Sequence, residues 1–214
     1  MKTKDEYATL AAYYEMVIGP FLMPLRREIV RIAMRHRFTN ILDLCCGTGR
    51  QCIMLDAAGF RVAGVDNSPS MLGEALAGSP PSIEYFLEDA SALHFDDSSF
   101  ECVILCFALH EKTKTVRDEV MKEAKRVLTA AGRLITVDYA VPQGFLEICI
   151  ALPAAGVERI AGHEHYAAYR DFMRCGALDA VLSEHGLAIE QKTRFLWGTA
   201  ALVVSTKRKH SITR

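Results

Sequence analysis

The chain has 214 residues, half of them hydrophobic and about a quarter charged, an ordinary balance for one globular domain of this length. With 25 basic and 26 acidic side chains it carries almost no net charge, which argues against a nucleic-acid partner held by counterion release. Its seven cysteines are odd in number, its first ten residues lack an apolar signal region, and no uninterrupted apolar run reaches the about 18 residues of a membrane span; reduced thiols, a cytoplasmic location and no transmembrane segment are expected.

Residues 22–37 read as an amphipathic helix, with Phe21, Leu25, Ile29, Ile32 and Ala33 on one face. Ile41 to Leu44 is a short buried strand, followed by a helix over 49–58 that Gly59 ends. Arg61 to Val65 is a second strand. Ser68 then caps a helix with Pro69 at its first position. Ile83 to Leu87 is a third strand. Phe100 to Phe107 is a fourth, apolar along nearly its whole length and so buried on both faces. A Lys- and Glu-rich surface helix over 113–130 is broken by Gly132, and Arg133 to Tyr139 is the fifth strand. The stretch 143–161 is apolar and interrupted by Pro153 and Gly156; its run from Phe145 to Leu152 reads as a packed helix or the wall of an apolar pocket. A helix over 166–185, closed by Gly186, leads to strands Leu187–Phe195 and Ala200–Thr206. Their short, Gly-containing connection makes them an antiparallel pair. Strands alternating with helices predict an α/β fold with a parallel sheet wrapped by helices.

The chemistry concentrates after the first strand. Asp43-Leu44-Cys45-Cys46-Gly47-Thr48-Gly49 leads straight into a helix. Glycines there let the backbone turn sharply and let a ligand lie against it, at the carboxyl end of the strands. The dinucleotide fingerprint needs a third glycine where this chain has Cys52, and a P-loop needs a Gly-Lys-Ser/Thr that is missing. Asp66 ends the second strand, where a carboxylate accepts from the hydroxyls of a ribose. Glu88-Asp89-Ala90 ends the third, where an acid accepts from the amine of adenine. Together these describe an adenosine ligand without a pyrophosphate. Cys45 and Cys46 lack the paired spacing of structural zinc ligands, and no metal is expected.

The segments ILDLCCGTGR (41–50), VAGVDNSPSML (62–72), FLEDASALHFDDSSFECVILCFALHE (86–111) and RVLTAAGRLITVDYA (126–140) resemble the class I S-adenosylmethionine (SAM)-dependent methyltransferases. The resemblance is to the small enzymes grouped with ubiquinone and menaquinone biosynthesis. It implies a Rossmann-like three-layer α/β/α sandwich, with a seven-stranded sheet in the order 3-2-1-4-5-7-6 and strand 7 antiparallel. It also implies a single methyltransferase domain over 1–214: a helical lid over 1–37, a SAM-binding core over 38–140, a substrate-side insertion over 141–175, and a helix end and β-hairpin over 176–206.

By position, the resemblance gives Asp43, Gly47 and Gly49 to the methionine pocket of SAM, with Cys45 and Thr48 among the cofactor-binding residues. It gives Asp66 to the ribose with Asn67 and Met71 beside it, and Asp89 and Ala90 to adenine. Phe107 and Leu109 approach the cofactor after the fourth strand. Tyr13, Tyr14 and Arg26 fall in the lid. His110 stands where a substrate-facing base belongs, or is a hydrogen-bonded wall residue. His163-Glu164-His165 reads as a surface loop or a substrate-side contact. The implied reaction is transfer of the methyl group to a small, lipophilic acceptor, quinone-like or phospholipid-like. Aligning nucleophile, methyl and sulfur can itself supply about 7–11 kcal/mol. A monomer or homodimer is expected, with peripheral membrane contact open to it. Two other readings stand beside this one: a SAM-binding regulatory protein without catalysis, and an oxidoreductase that would bind NAD(H) and not SAM.

Overall fold

The computed structural model describes residues 11–145, 147, 148, 156, 158, 159 and 162–208. Most of the apolar run Phe145 to Leu152 lies outside them. Two helices, α1 (Ala11–Val17) and α2 (Gly19–His36), precede the first strand. Then come β1 (Asn40–Leu44), α3 (Arg50–Ala57), β2 (Arg61–Asp66), α4 (Pro69–Gly78) and β3 (Glu84–Leu87). They are followed by β4 (Phe100–Cys106), α5 (Lys114–Val127), β5 (Leu128–Tyr139), α6 (His163–Arg174), α7 (Ala177–Glu184), β6 (Leu187–Phe195) and β7 (Ala200–Lys207).

The seven strands form one sheet in the order β3-β2-β1-β4-β5-β7-β6. The pairs from β3 through β5 are parallel, and β7 runs antiparallel to both β5 and β6. Order and hairpin are those that the resemblance implies. Successive residues of the central strands point to opposite faces. Ile41, Cys102, Ile104, Ile135 and Val137 pack with Leu25, Ile29 and Ile32 of α2 and with Leu55 of α3. Leu42, Leu44, Val103, Leu105 and Leu134 pack with Val120, Met121 and Ala124 of α5 and with Leu178 and Leu182 of α7. Both faces are therefore covered, and the strands are apolar on both sides because parallel sheets bury both. Among the described residues no helix is long and apolar enough to cross a membrane.

Local signals explain most boundaries. Ser68 Oγ accepts from the Met71 N–H at 3.2 Å, and Pro69 opens α4. The structure departs from the sequence reading at several points. Phe21 is exposed and Leu22 takes its place on the buried face of α2. The chain leaves α5 at Val127, earlier than expected, and Gly132 lies inside β5 instead of breaking a helix. Leu128 pairs with Phe100, and a register shift follows before Cys102 pairs with Arg133. The helix expected over 166–185 is two: Gly176, at φ +104°, turns the chain between α6 and α7. His163 and His165 lie in the first turn of α6, not in a loop.

Candidate functional site

At the carboxyl ends of β1, β2 and β4 lies an open cavity of about 770 Å³ including its mouth. Its floor is the turn after β1, where Cys45 and Gly47 take left-handed φ values of 58° and 55°. Asp66, at the end of β2, holds that turn: its Oδ2 accepts from the Gly47 N–H at 2.8 Å and its Oδ1 from the Ser68 N–H at 2.9 Å. One carboxylate thus orders the loop after β1 and the start of α4 together. Its remaining lone pairs face a cavity that Asn67 and Met71 also line.

Asp43 lines the same cavity from β1, with 2% of its surface exposed. Burial pushes its carboxyl up to about 7, only partly opposed by a Cys52 thiol at 3.4 Å and by the charge of Arg26. Asp66 is raised too, again by burial, against the pull of its two backbone N–H donors. Two buried carboxyls beside one cavity make it attractive to cations.

A second layer closes the site from the N-terminal side. Arg26 of α2 lines the cavity and grips Glu15 of α1 through two hydrogen bonds of 2.7 and 2.8 Å. Glu15 also accepts from the Thr48 hydroxyl at 2.6 Å, so α1 is tied directly to the glycine turn. Tyr14 lines the cavity, whereas Tyr13 is exposed. On the far side stand Cys106, Phe107 and Ala108, and at the mouth the ion pair of Glu111 and Lys112. Phe107 has a left-handed φ of 52°, and its N–H donates to the Val137 carbonyl at 2.7 Å.

The structure brings Asp43, Cys45, Gly47, Thr48, Asp66, Asn67, Met71 and Phe107 to this cavity. Other predicted residues are not among its lining. Gly49 starts α3 beneath Tyr85, where a Cβ would collide with the tyrosine hydroxyl. Asp89 is exposed and accepts from the N–H and hydroxyl of Ser91, and Ala90 is buried in the core. Leu109 is a core residue whose N–H donates to Asp138.

His110 also sits away from the cavity. It is buried, its Nδ1 is 2.8 Å from Asp138 Oδ1, and its Nε2 is 3.6 Å from Glu158 Oε2. Burial pulls its pKa down, but the Asp138 and Glu158 carboxylates outweigh that and push it up to about 10. Its Nδ1 is committed to Asp138, and its Nε2 faces Glu158 instead of the cavity. The arrangement fits the hydrogen-bonded wall better than the general base.

Sequence reasoning missed Glu15, Gln51 and the Glu111–Lys112 pair. Gln51 lines the cavity on the first turn of α3, is buried, and neither its amide nitrogen nor its oxygen has a partner among the described residues. A polar residue in the first turn of the helix after the glycine loop is the signal that could have found it.

Residues 41–132 match the family described as "Methyltransferase domain". An uncharacterized methyltransferase of Synechocystis is 35% identical over 107 residues, which cover 50% of each chain. The magnesium protoporphyrin IX methyltransferase of Synechocystis, solved with bound SAH, superposes with a TM-score of 0.61 at 18% identity, covering 86% of this chain and 83% of that one. The chain spans about half the length of several of the curated relatives that it matches. A demethylmenaquinone methyltransferase of Bacillus licheniformis reaches further, at 31% identity over 183 residues and 78% of both chains. That extent of likeness, on a sheet with the strand order found here, shows that the chain belongs to the SAM-dependent methyltransferases.

Proposed function

We propose that this chain transfers the methyl group of SAM to a small apolar acceptor of the quinol type. The observation that carries the acceptor class is the likeness to the demethylmenaquinone methyltransferase of Bacillus licheniformis, which extends over 78% of this chain and past the cofactor half of the sheet. The residues around the cavity fit SAM on their own chemistry. SAM supplies a methyl group already activated on a sulfonium. Asp43 offers a buried carboxylate to a cationic ligand, and Asp66 offers acceptors for ribose hydroxyls from a loop it also orders. Gln51 brings an unpartnered buried amide to the same space.

In this reading Gly47 and Thr48 hold the methionine end, with Cys45 beside them. Asn67 and Met71 flank the nucleoside, and Phe107 and Ala108 form the wall toward the acceptor. Asp89 is exposed in the loop after β3, and its Oδ1 accepts from the Ser91 N–H and hydroxyl. Helices α1 and α2 act as a lid pinned by Glu15, Arg26 and Thr48. The chain's work is positioning and exclusion of water. A carbon–methyl bond forms as the sulfur–methyl bond breaks, the electron pair of the broken bond stays on sulfur, and the proton of the methylated ring carbon is lost to solvent as the quinol regains its aromaticity.

The test offers purified protein labelled SAM with a demethylated naphthoquinol in detergent micelles, and separately with phosphatidylethanolamine vesicles. Label is expected in the naphthoquinol. Label in the phospholipid would overturn the acceptor class. SAM binding by calorimetry with transfer to neither would favour a regulatory protein without catalysis.

A further inference from the structure

Behind Phe107, outside the SAM cavity, four parts of the chain converge on one small buried cluster. His110 follows β4, Asp138 and Tyr139 end β5, Glu158 lies before α6, and His165 stands in the first turn of α6. Glu158 Oε2 lies 2.5 Å from His165 Nε2 and 3.6 Å from His110 Nε2, and all three ligand atoms lie within 4.8 Å of one another. Two imidazole nitrogens and a carboxylate oxygen around one point are the donor set of a divalent transition ion. At nitrogen and oxygen bond lengths near 2.0–2.1 Å, tetrahedral ligands stand about 3.3 Å apart, in the range these atoms already occupy.

The surroundings favour the same reading. Asp138 accepts from three backbone N–H groups, those of Leu109 at 2.9 Å, His110 at 3.2 Å and Tyr139 at 2.7 Å. An acceptor so committed makes His110 Nδ1 the donor to it, which frees the Nε2 lone pair for a metal. A carboxylate orienting a ligand histidine from behind is the usual support of such sites. Glu158 is oriented likewise, its Oε1 accepting from the Tyr139 hydroxyl at 2.7 Å. Tyr139, Tyr169 and Phe172 pack around the His110 ring and bury it. Charge also balances, because Asp138 and Glu158 are both buried and one dication with two neutral imidazoles neutralises the pair.

We propose that His110, Glu158 and His165 form a binding site for a divalent transition-metal ion of the zinc and cobalt class, with Asp138 and Tyr139 as positioning residues. Three protein ligands leave a further coordination position for water or another oxygen. The proposal does not depend on the acceptor class.

The test uses the full chain, stripped with chelator and titrated with Co(II). One ion per chain is expected, with the intense visible absorption of tetrahedral cobalt, displaced by Zn(II). His165→Phe, which keeps a ring in place, and Glu158→Gln should abolish the signal, and Tyr139→Phe should weaken affinity by roughly 10–100-fold. His94→Ala, which breaks a half-exposed pair with Glu88 on the other side of the sheet order, should leave it unchanged. No stoichiometric ion on the folded wild-type chain, or binding that survives both His165→Phe and Glu158→Gln, would overturn the site. X-ray absorption of the zinc-loaded wild-type protein gives a readout that needs no variant. A shell of nitrogen and oxygen with imidazole scattering is expected, and sulfur in that shell would move the ion to the cysteines near β1 and overturn the proposal.

Discussion

Asp43 shows what a single residue contributes. The sequence placed it at a strand end, but only the structure reveals that burial holds its carboxyl near 7. Its folded pKa lies above the ordinary carboxylate value, so the free protein loses stability as pH rises between the two, with the loss complete above about 7. Cation binding runs the other way, because a cation favours the ionised form. SAM affinity should therefore rise several-fold between about pH 5.5 and 7.5, a window below the titration of the ligand's own α-amino group. Calorimetry checks this, and Asp43→Asn should flatten the slope; an equal slope in the variant would remove Asp43 from the ligand. Gln51 makes a prediction with opposite signs. Leucine in its place deletes two unpartnered polar atoms, so the free protein should be as stable or more stable by about 1 kcal/mol. SAM affinity should nevertheless fall about tenfold. A loss of both would mean that Gln51 serves the fold alone. Neither effect was legible in the sequence, since an unpartnered amide is visible only once its neighbours are placed.

Among the elements, the first two helices were only half legible. Periodicity found α2, and the family resemblance implied a lid over the N-terminal segment, but the Glu15–Arg26–Thr48 connection joins segments that no periodicity links. Arg26 is buried and Glu15 is partly exposed. Glu15→Ala leaves the guanidinium without its partner and should cost about 1–3 kcal/mol, less than a fully buried pair because of that exposure. Thermal melts measure the loss. Stopped-flow should show faster SAM dissociation, because α1 is released from the glycine turn. Arg26→Met with Glu15→Leu should recover most of the stability and little of the slow dissociation. The break at Gly176 was hidden for a different reason. The apolar spacing of α6 and α7 continues through it, and the left-handed φ that separates them leaves no mark in the pattern except the glycine itself.

At the scale of the molecule the sequence said most. The alternation of apolar runs and helical patterns specified a parallel sheet, and the glycine between Leu187–Phe195 and Ala200–Thr206 specified the antiparallel end; both follow from short-range rules. What it did not contain was the position of Asp89 and His110 relative to the cavity. His110 follows β4, whose end reaches the cavity, but its ring is bonded to Asp138; Asp89 follows β3, the edge strand beside β2, where it accepts from Ser91. The assembled site predicts a global response. SAM at about 100 times its dissociation constant should stabilise the fold by about 2.7 kcal/mol, which for a chain of this size raises the melting temperature by about 5–10 °C. NAD at the same concentration should leave the melt unmoved. A shift with NAD and none with SAM would return the oxidoreductase reading.

Gly49 carries a consequence for how variants of this protein are to be interpreted. Its missing Cβ makes room for Tyr85, which reaches across from β3 to the start of α3 and shares a hydrogen bond of 2.7 Å with Ser79. The φ of +69° at Gly49 adds a second obstacle to any side chain. In a mutational scan, position 49 would lose activity through failed folding, whereas position 47, which lines the cavity, would be open to defects of binding. A smaller residue at 85 would relieve the collision with the tyrosine but not the cost of the left-handed φ, so the two positions are expected to be coupled, with only partial rescue, although 36 residues of chain separate them.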